Sequence, residues 1–463
     1  MRIRTLLCPA VLLSLAAAGL ANASIVLHDL PLSDPSARAK LDLNLNPGAV
    51  VVEPSILNTE AEVVKSIVEL VQTDPRGSLK KLQTAVTPQS SAMLDFIIGN
   101  LNFQLDERAD ALRYYESAVR KFPTFAKAYK NLGFLALQTE KFDEALKAFV
   151  KTVQLGSSEG AVYGLIGYIY LNKENFLSAE SAYRDAMLKM PDNVDWKLGL
   201  GRSVLAHQKH ADVMNIMGEL ITGDPKKRDY WLVQANAFLS MDRVMDSAYN
   251  YEMMGRIGIG NKETYQALGN IYVSLEKSPL ALIAYMAAVN LPEPPEMTTI
   301  LASAEIMGAR GSLAESDILA TRIEEVYGKT AKKEETTRLL KLRSQLAIAQ
   351  DHQEQAEELL ERLIKLDEND GETILLLANF YGRSDRYERA KPLYERAEKI
   401  EEFEIDSLVK HGQMLVNHGD YENAIAKLER AVEALGRTED FTRRENVNRY
   451  LESVRRVYRN TRT

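Results

Sequence analysis

Tyr163-Gly-Leu-Ile-Gly-Tyr-Ile-Tyr170, followed by Ala179, Tyr183, Ala186 and Pro191, is the stretch whose reading decides the fold. Its central Gly167 belongs to a series: Gly99, Gly133, Gly167 and Gly201 stand 34 residues apart. Ala235 and Gly269 continue that phase, and Ser344, Ala378 and Gly412 form a second set with the same step. Twelve residues after these anchors lie Ala111, Ala145, Ala179, Ala281, Ala356, Ala390 and Ala424. Sixteen after them lie Tyr115, Phe149, Tyr183, Tyr251, Tyr285 and Tyr394, and Pro123, Pro191 and Pro225 close three of the repeats. A small residue midway along one helix lets a second helix approach, and the alanine does the same from the other side. The aromatic four residues later shares the alanine's face and fills the gap. Proline lacks an N–H and clashes in a helix interior, so it marks where a hairpin stops.

This spacing resembles the tetratricopeptide repeat family, a 34-residue helix–turn–helix unit. The resemblance runs from about Ala92 to Leu435, and Tyr129 to Phe149 matches nearly as well as the opening stretch. It implies an all-α fold, a right-handed superhelical solenoid of antiparallel helix hairpins with about nine to ten repeats. Two hairpins depart at the alanine position, with Val213 and Ser247. Between Gly269 and Ser344 the register slips, the gap being two repeats plus seven residues. The slip reads as a joint between two arrays, or as a loop insertion in one continuous superhelix. The predicted organisation is a leader (1–23), a non-helical arm (24–58) and an N-terminal array with a helical cap (59–292). An irregular hairpin or joint (293–337), a C-terminal array (338–436) and a basic capping helix (437–463) follow. In that last helix Val447, Leu451, Val454 and Tyr458 fall at helical spacing and seal the final hairpin.

Arg2 and Arg4, the apolar Leu6 to Leu20 and Ala21-Asn-Ala23 before Ser24 read as a cleavable export signal. Its apolar run is shorter than the roughly 20 residues that span a bilayer. Cys8, the single cysteine, lies inside it, so the mature chain has no disulfide and packing alone holds the fold. The periplasm is the expected address, with secretion as the alternative. Without the leader, 55 basic residues face 65 acidic ones. That balance argues against nucleic acid, which needs a dense basic surface, and leaves at most peripheral membrane contact.

No catalytic constellation is found. The mature chain offers no cysteine nucleophile, G-x-S-x-G elbow or phosphate loop, and Gly255 to Gly260 ends a helix and follows no strand. His207 and His210 fall in a hairpin turn with only Asp212 nearby, so neither a metal nor a cofactor is predicted. The family resemblance implies that first helices line a concave groove, with the residue after each anchor pointing inward. Those positions are Asn100, Phe134, Tyr168, Arg202, Asn236 and Asn270, then Gln345, Asn379 and Gln413. Six of the nine are amides, which can donate and accept together and so hold an extended peptide backbone, or can be merely polar groove residues. Phe103, Phe134 and Tyr168 add an aromatic anchoring surface. The basic clamp with which one subgroup grips C-terminal carboxylates is broken, since Phe96, Ala161 and Leu165 replace its cations. The C-terminal arginines read as a solvated capping helix or a dock for an acidic protein or anionic lipid head groups. The expected function is a non-catalytic scaffold or adaptor that binds a protein or peptide segment, within a cell-envelope complex for assembly or TonB/ExbB-type transport. The alternatives are a cell-wall or polysaccharide glycan binder, motivated by Tyr168, Trp196, Trp231 and the amides, and a self-assembling structural protein.

Overall fold

A computed structural model describes residues 53–461 apart from 69, 72 and 439. The expected leader and all of the arm before Glu53 lie outside the described residues. Every regular element among the described residues is a helix. Two short helices lead, α1 (Asn58–Ile67) and α2 (Pro75–Thr84). Ten hairpins follow. The first five are α3 (Ala92–Gln104) with α4 (Arg108–Lys121), α5 (Ala126–Gln138) with α6 (Phe142–Gln154), α7 (Gly160–Asn172) with α8 (Phe176–Lys189), α9 (Val194–Ala206) with α10 (His210–Gly223), and α11 (Arg228–Ser240) with α12 (Val244–Arg256). The next five are α13 (Lys262–Ser274) with α14 (Ser278–Val289), α15 (Met297–Ala309) with α16 (Leu313–Tyr327), α17 (Lys333–Ala349) with α18 (Gln353–Leu366), α19 (Gly371–Arg383) with α20 (Tyr387–Ala397), and α21 (Glu404–Asn417) with α22 (Tyr421–Leu435). The last helix is α23 (Phe441–Thr461). The chain divides into two compact units, one through Ile259 and one from Gly260.

The anchors are small because the residue sixteen later lies on them. A Cβ added at Gly99 would stand 2.7 Å from the Tyr115 ring, at Gly133 2.7 Å from Phe149, and at Gly269 2.3 Å from Tyr285. Tyr115, Phe149, Tyr183 and Tyr285 are at most 2% exposed. In the hairpins that break the aromatic rule, Met217 and Leu428 occupy the same place over Gly201 and Gly412.

Each hairpin turn uses a left-handed residue seven positions after its anchor. Asp106, Glu140, Glu174, Gln208, Asp242, Glu276, Asp351 and Asp385 have φ between 56° and 61°, and Gly311 and Gly419 fill the same place in two other hairpins. The turn is a Schellman closure: Asn175 N–H donates to Tyr170 O at 2.9 Å across the left-handed Glu174. That conformation costs a side-chain-bearing residue about 1–2 kcal/mol. Replacing Glu174 and Gln208 with glycine is therefore expected to raise stability by about 0.5–1 kcal/mol at each site. Urea unfolding checks it, and an unchanged or lowered midpoint would contradict the turn assignment.

The register slip resolves into two insertions rather than an irregular hairpin. α15 and α16 pair normally, with buried Ala304 as anchor. One extra residue enters the proline-rich link before α15, and six enter between Ala304 and Ser344. The residues from Lys333, expected to belong to the joint, instead open α17. That helix has 17 residues where α3, α5, α7, α9, α11, α13 and α15 each have 13. Glu335 accepts from Lys332 N–H at 2.9 Å, and Glu334 and Glu335 favour the early start through the helix dipole.

Carboxylates at equivalent positions pin successive hairpins of the second unit. Glu324 ends α16's charged face and is held by Arg343 of α17 and Arg362 of α18. Glu398, just past α20, is 8% exposed and accepts from Lys427 Nζ at 2.8 Å and Arg430 Nη1 at 3.1 Å. It also contacts buried His411 Nδ1 at 2.7 Å, whose ring stacks on Tyr394. At the end of the unit Val447, Leu451 and Val454 of α23 are buried among Leu428, Ala431 and Leu435 of α22, and Tyr458 lies beside Tyr421.

Candidate functional site

The residues expected to line a groove are largely engaged within their own hairpins. Asn100 Oδ1 accepts from the Tyr115 hydroxyl at 2.7 Å and from Asn131 Nδ2 at 2.7 Å. Asn270 Oδ1 accepts from Tyr285 and Asn379 Oδ1 from Tyr394, both at 2.7 Å. Burial pushes all three phenols well above their ordinary range, so each stays a neutral donor that needs an acceptor. The amide ladder is thereby corrected: in these hairpins its acceptor oxygens are spent on packing tyrosines. A sequence signal for this exists. Asparagine follows the anchor at 100, 236, 270 and 379, and a tyrosine stands fifteen residues on each time, at 115, 251, 285 and 394.

The aromatic surface is corrected as well. Tyr168 is 3% exposed and packs on Phe142. Phe134 meets Phe149 edge-on at 5.5 Å, and half-buried Phe103 packs into the core of the first hairpins. Arg202 is tied to Asp229 at 3.0 Å, and Asn236 is half-buried on α11. Trp196 is 3% exposed and lies over Gly164, while Trp231 donates its indole N–H to Pro225 O. Tyr168 and Trp196 thus offer no open face on which a sugar could stack. His207 lies edge-on to Phe176, and His210 Nδ1 faces Ser240 Oγ at 3.3 Å.

The lengthened α17 instead opens a cleft of about 1140 Å³ within the second unit. One wall is the end of α15 with the start of α16: Glu305, Gly308, Ala309 and Leu313. The other is a single face of α17, on which Lys341, Leu342, Gln345, Leu346 and Ala349 recur at helical spacing. The loop from α18 to α19 closes one end with Asp367, Asn369 and Asp370. The cleft is polarised along α17. Its C-terminal half has an apolar floor, and its N-terminal half carries Lys333, Glu334 and Arg338.

Every cation at that charged end is already paired. Arg338 bridges to Glu305 of the facing wall, which raises the guanidinium's pKa. Lys341 contacts Asp370 at 2.9 Å and Glu372. Burial opposes its charge, but the two carboxylates outweigh that and raise its pKa. Lys333 reaches Asp367 at 3.2 Å, and the Asn369 backbone N–H with Lys333 lowers the Asp367 pKa. Of the groove positions read from sequence, only Gln345 falls in this cleft, where it is exposed. The others in it went unread because the run Lys329 to Thr337 looks like a linker; the six-residue excess was the available signal.

Comparison with known proteins identifies the repeats. Tetratricopeptide repeat models match residues 98–159, and residues 160–188 and 371–403. The general transcriptional corepressor trfA of Dictyostelium discoideum is 30% identical over 108 residues, which is 23% of this chain and 8% of that protein. This chain spans a tenth or less of the length of the corepressors it matches. A tetratricopeptide repeat protein from Parabacteroides merdae is 15% identical with a TM-score of 0.36, over 54% of this chain and 98% of that one. YrrB, described as a TPR protein with an unusual peptide-binding site, is 16% identical with a TM-score of 0.33, over 48% and 96%.

Proposed function

We propose that this chain, a tetratricopeptide-repeat protein, is a non-catalytic scaffold that holds a segment of a cell-envelope protein in the cleft of its second unit. Repeats of this kind build protein–protein interaction scaffolds, and the cleft between α15 and α17 is the observation that carries the reading here. It offers what a peptide needs, an apolar floor for an anchoring side chain and polar groups at one end to fix direction. Export to the periplasm, with the mature chain beginning at Ser24, is supported by the basic start, apolar run and small-x-small site of the first 23 residues. An envelope partner follows from that address. A glycan ligand is disfavoured because Tyr168 and Trp196 are buried.

Affinity capture from crosslinked envelope fractions tests the reading. Ala309 and Ala349 are exposed at the apolar end of the cleft, so Ala309→Trp with Ala349→Trp fills it from outside the core. The parent is expected to recover one envelope protein that the filled variant loses. An Asn100, Phe134 and Tyr168 triple alanine variant addresses the first-unit positions. Because Asn100 and Tyr168 also pack the first unit, its helicity and urea midpoint are compared with the parent's. Recovery by the filled variant together with loss in a triple variant that remains folded would move the site to the first unit and overturn the assignment.

A further inference from the structure

We propose that the cleft selects a segment carrying a lysine or arginine about four residues from a large apolar side chain; this rests on reading the cleft as the partner site. The argument is the balance of groups left over once the cleft's own pairs are made. Lys333, Arg338 and Lys341 are each bound to a carboxylate of another element. Glu334 is exposed and has no partner among the described residues. An incoming anion must therefore displace Glu305 from Arg338, or Asp370 and Glu372 from Lys341, and leave a carboxylate behind without its cation. An incoming cation displaces nothing and meets Glu334. The charged end of the cleft thus accepts donors and resists acceptors.

The spacing follows from helix geometry. Glu334 and Leu342 lie eight residues apart on α17, or about 12 Å along its axis. An extended chain covers that in roughly four residues. An apolar side chain on the floor made by Gly308, Leu313, Leu342 and Leu346 then puts a basic residue four positions away beside Glu334. Thr337 lies between, and Gln345 flanks the floor beyond Leu342; both can hydrogen-bond to the backbone of the segment.

Selection of a random dodecapeptide phage library on the intact protein tests this, with Glu334→Arg and the filled Ala309→Trp/Ala349→Trp variant in parallel. Circular dichroism of all three first establishes equal helicity. The parent is expected to enrich peptides with Lys or Arg three to five positions from Leu, Ile, Phe or Met. Glu334→Arg is expected to weaken those peptides by about fivefold, and the filled variant to retain none. Enrichment of acidic or uncharged peptides that the filled variant loses overturns the basic preference and leaves the cleft as the partner site. Enrichment that the filled variant keeps, or no enrichment by the parent, overturns both.

Discussion

Tyr183→Ala is expected to cost the first unit about 3–5 kcal/mol, the range for deleting a large buried aromatic. The residue serves two hairpins. A Cβ at Gly167 of its own hairpin would lie 2.9 Å from its ring, and one at Gly199 of the next would lie 2.3 Å from Cζ. Its ring also packs 6.2 Å from Trp196, and it is 2% exposed. Truncation therefore leaves two glycines facing a void, with no neighbouring Cβ to fill it. Because repeats are stabilised by their neighbours, the loss should extend along the unit. Both tryptophans, Trp196 and Trp231, lie in this unit, so urea unfolding followed by tryptophan fluorescence reads it directly. Gly218→Ala is the control. Its Cβ would meet nothing within 4 Å, so the helix should gain about 1 kcal/mol. A Tyr183→Ala loss below about 1 kcal/mol would contradict the packing described.

The second large effect is expected at low pH. Burial opposes ionisation of Glu398, yet hydrogen bonds from His411 and Lys427 outweigh it and hold the carboxyl at about 2, against an ordinary 4.5. A carboxyl depressed in the folded state stabilises the fold fully above its unfolded pKa. That contribution is lost as pH falls from about 4.5 toward 2, and it is on the order of 3 kcal/mol. Other acids with lowered pKa, such as Glu324 and Glu357, act in the same direction, so the comparison must be with Glu398→Gln. That variant should be weaker at pH 7, because Lys427 and Arg430 lose the carboxylate they share. It should also lose less stability between pH 5 and pH 2 than the parent. Parallel pH profiles by thermal circular dichroism would refute the role given to Glu398.

The architecture was legible in the sequence because its cause is steric and periodic. A glycine every 34 residues with an aromatic sixteen later admits one packing, and Gly99 with Tyr115 shows it. The closing helix was equally readable from Val447, Leu451 and Val454. The groove reading failed at particular residues for a stated reason. Asn100 and Asn270 look like free amides until the tyrosine hydroxyls that need them are placed in space. Tyr168 stands in register with exposed positions, but α6's Phe142 covers it. The cleft was hidden because Lys333 to Thr337 is hydrophilic, and hydrophilic runs fit a linker as well as the exposed turn of a longer helix. The capping contact of Glu335 with Lys332 N–H favours the helix, and it is visible only once the two are placed in space.

Hydrogen–deuterium exchange of the protein with and without its captured partner tests the central claim most directly. The account predicts partner-dependent protection on α17 and at the end of α15, from Glu305 to Ala309 and from Lys333 to Ala349, with the first helices of the first unit unchanged. Protection confined to α5, α7 and α9, with none on α17, would contradict it.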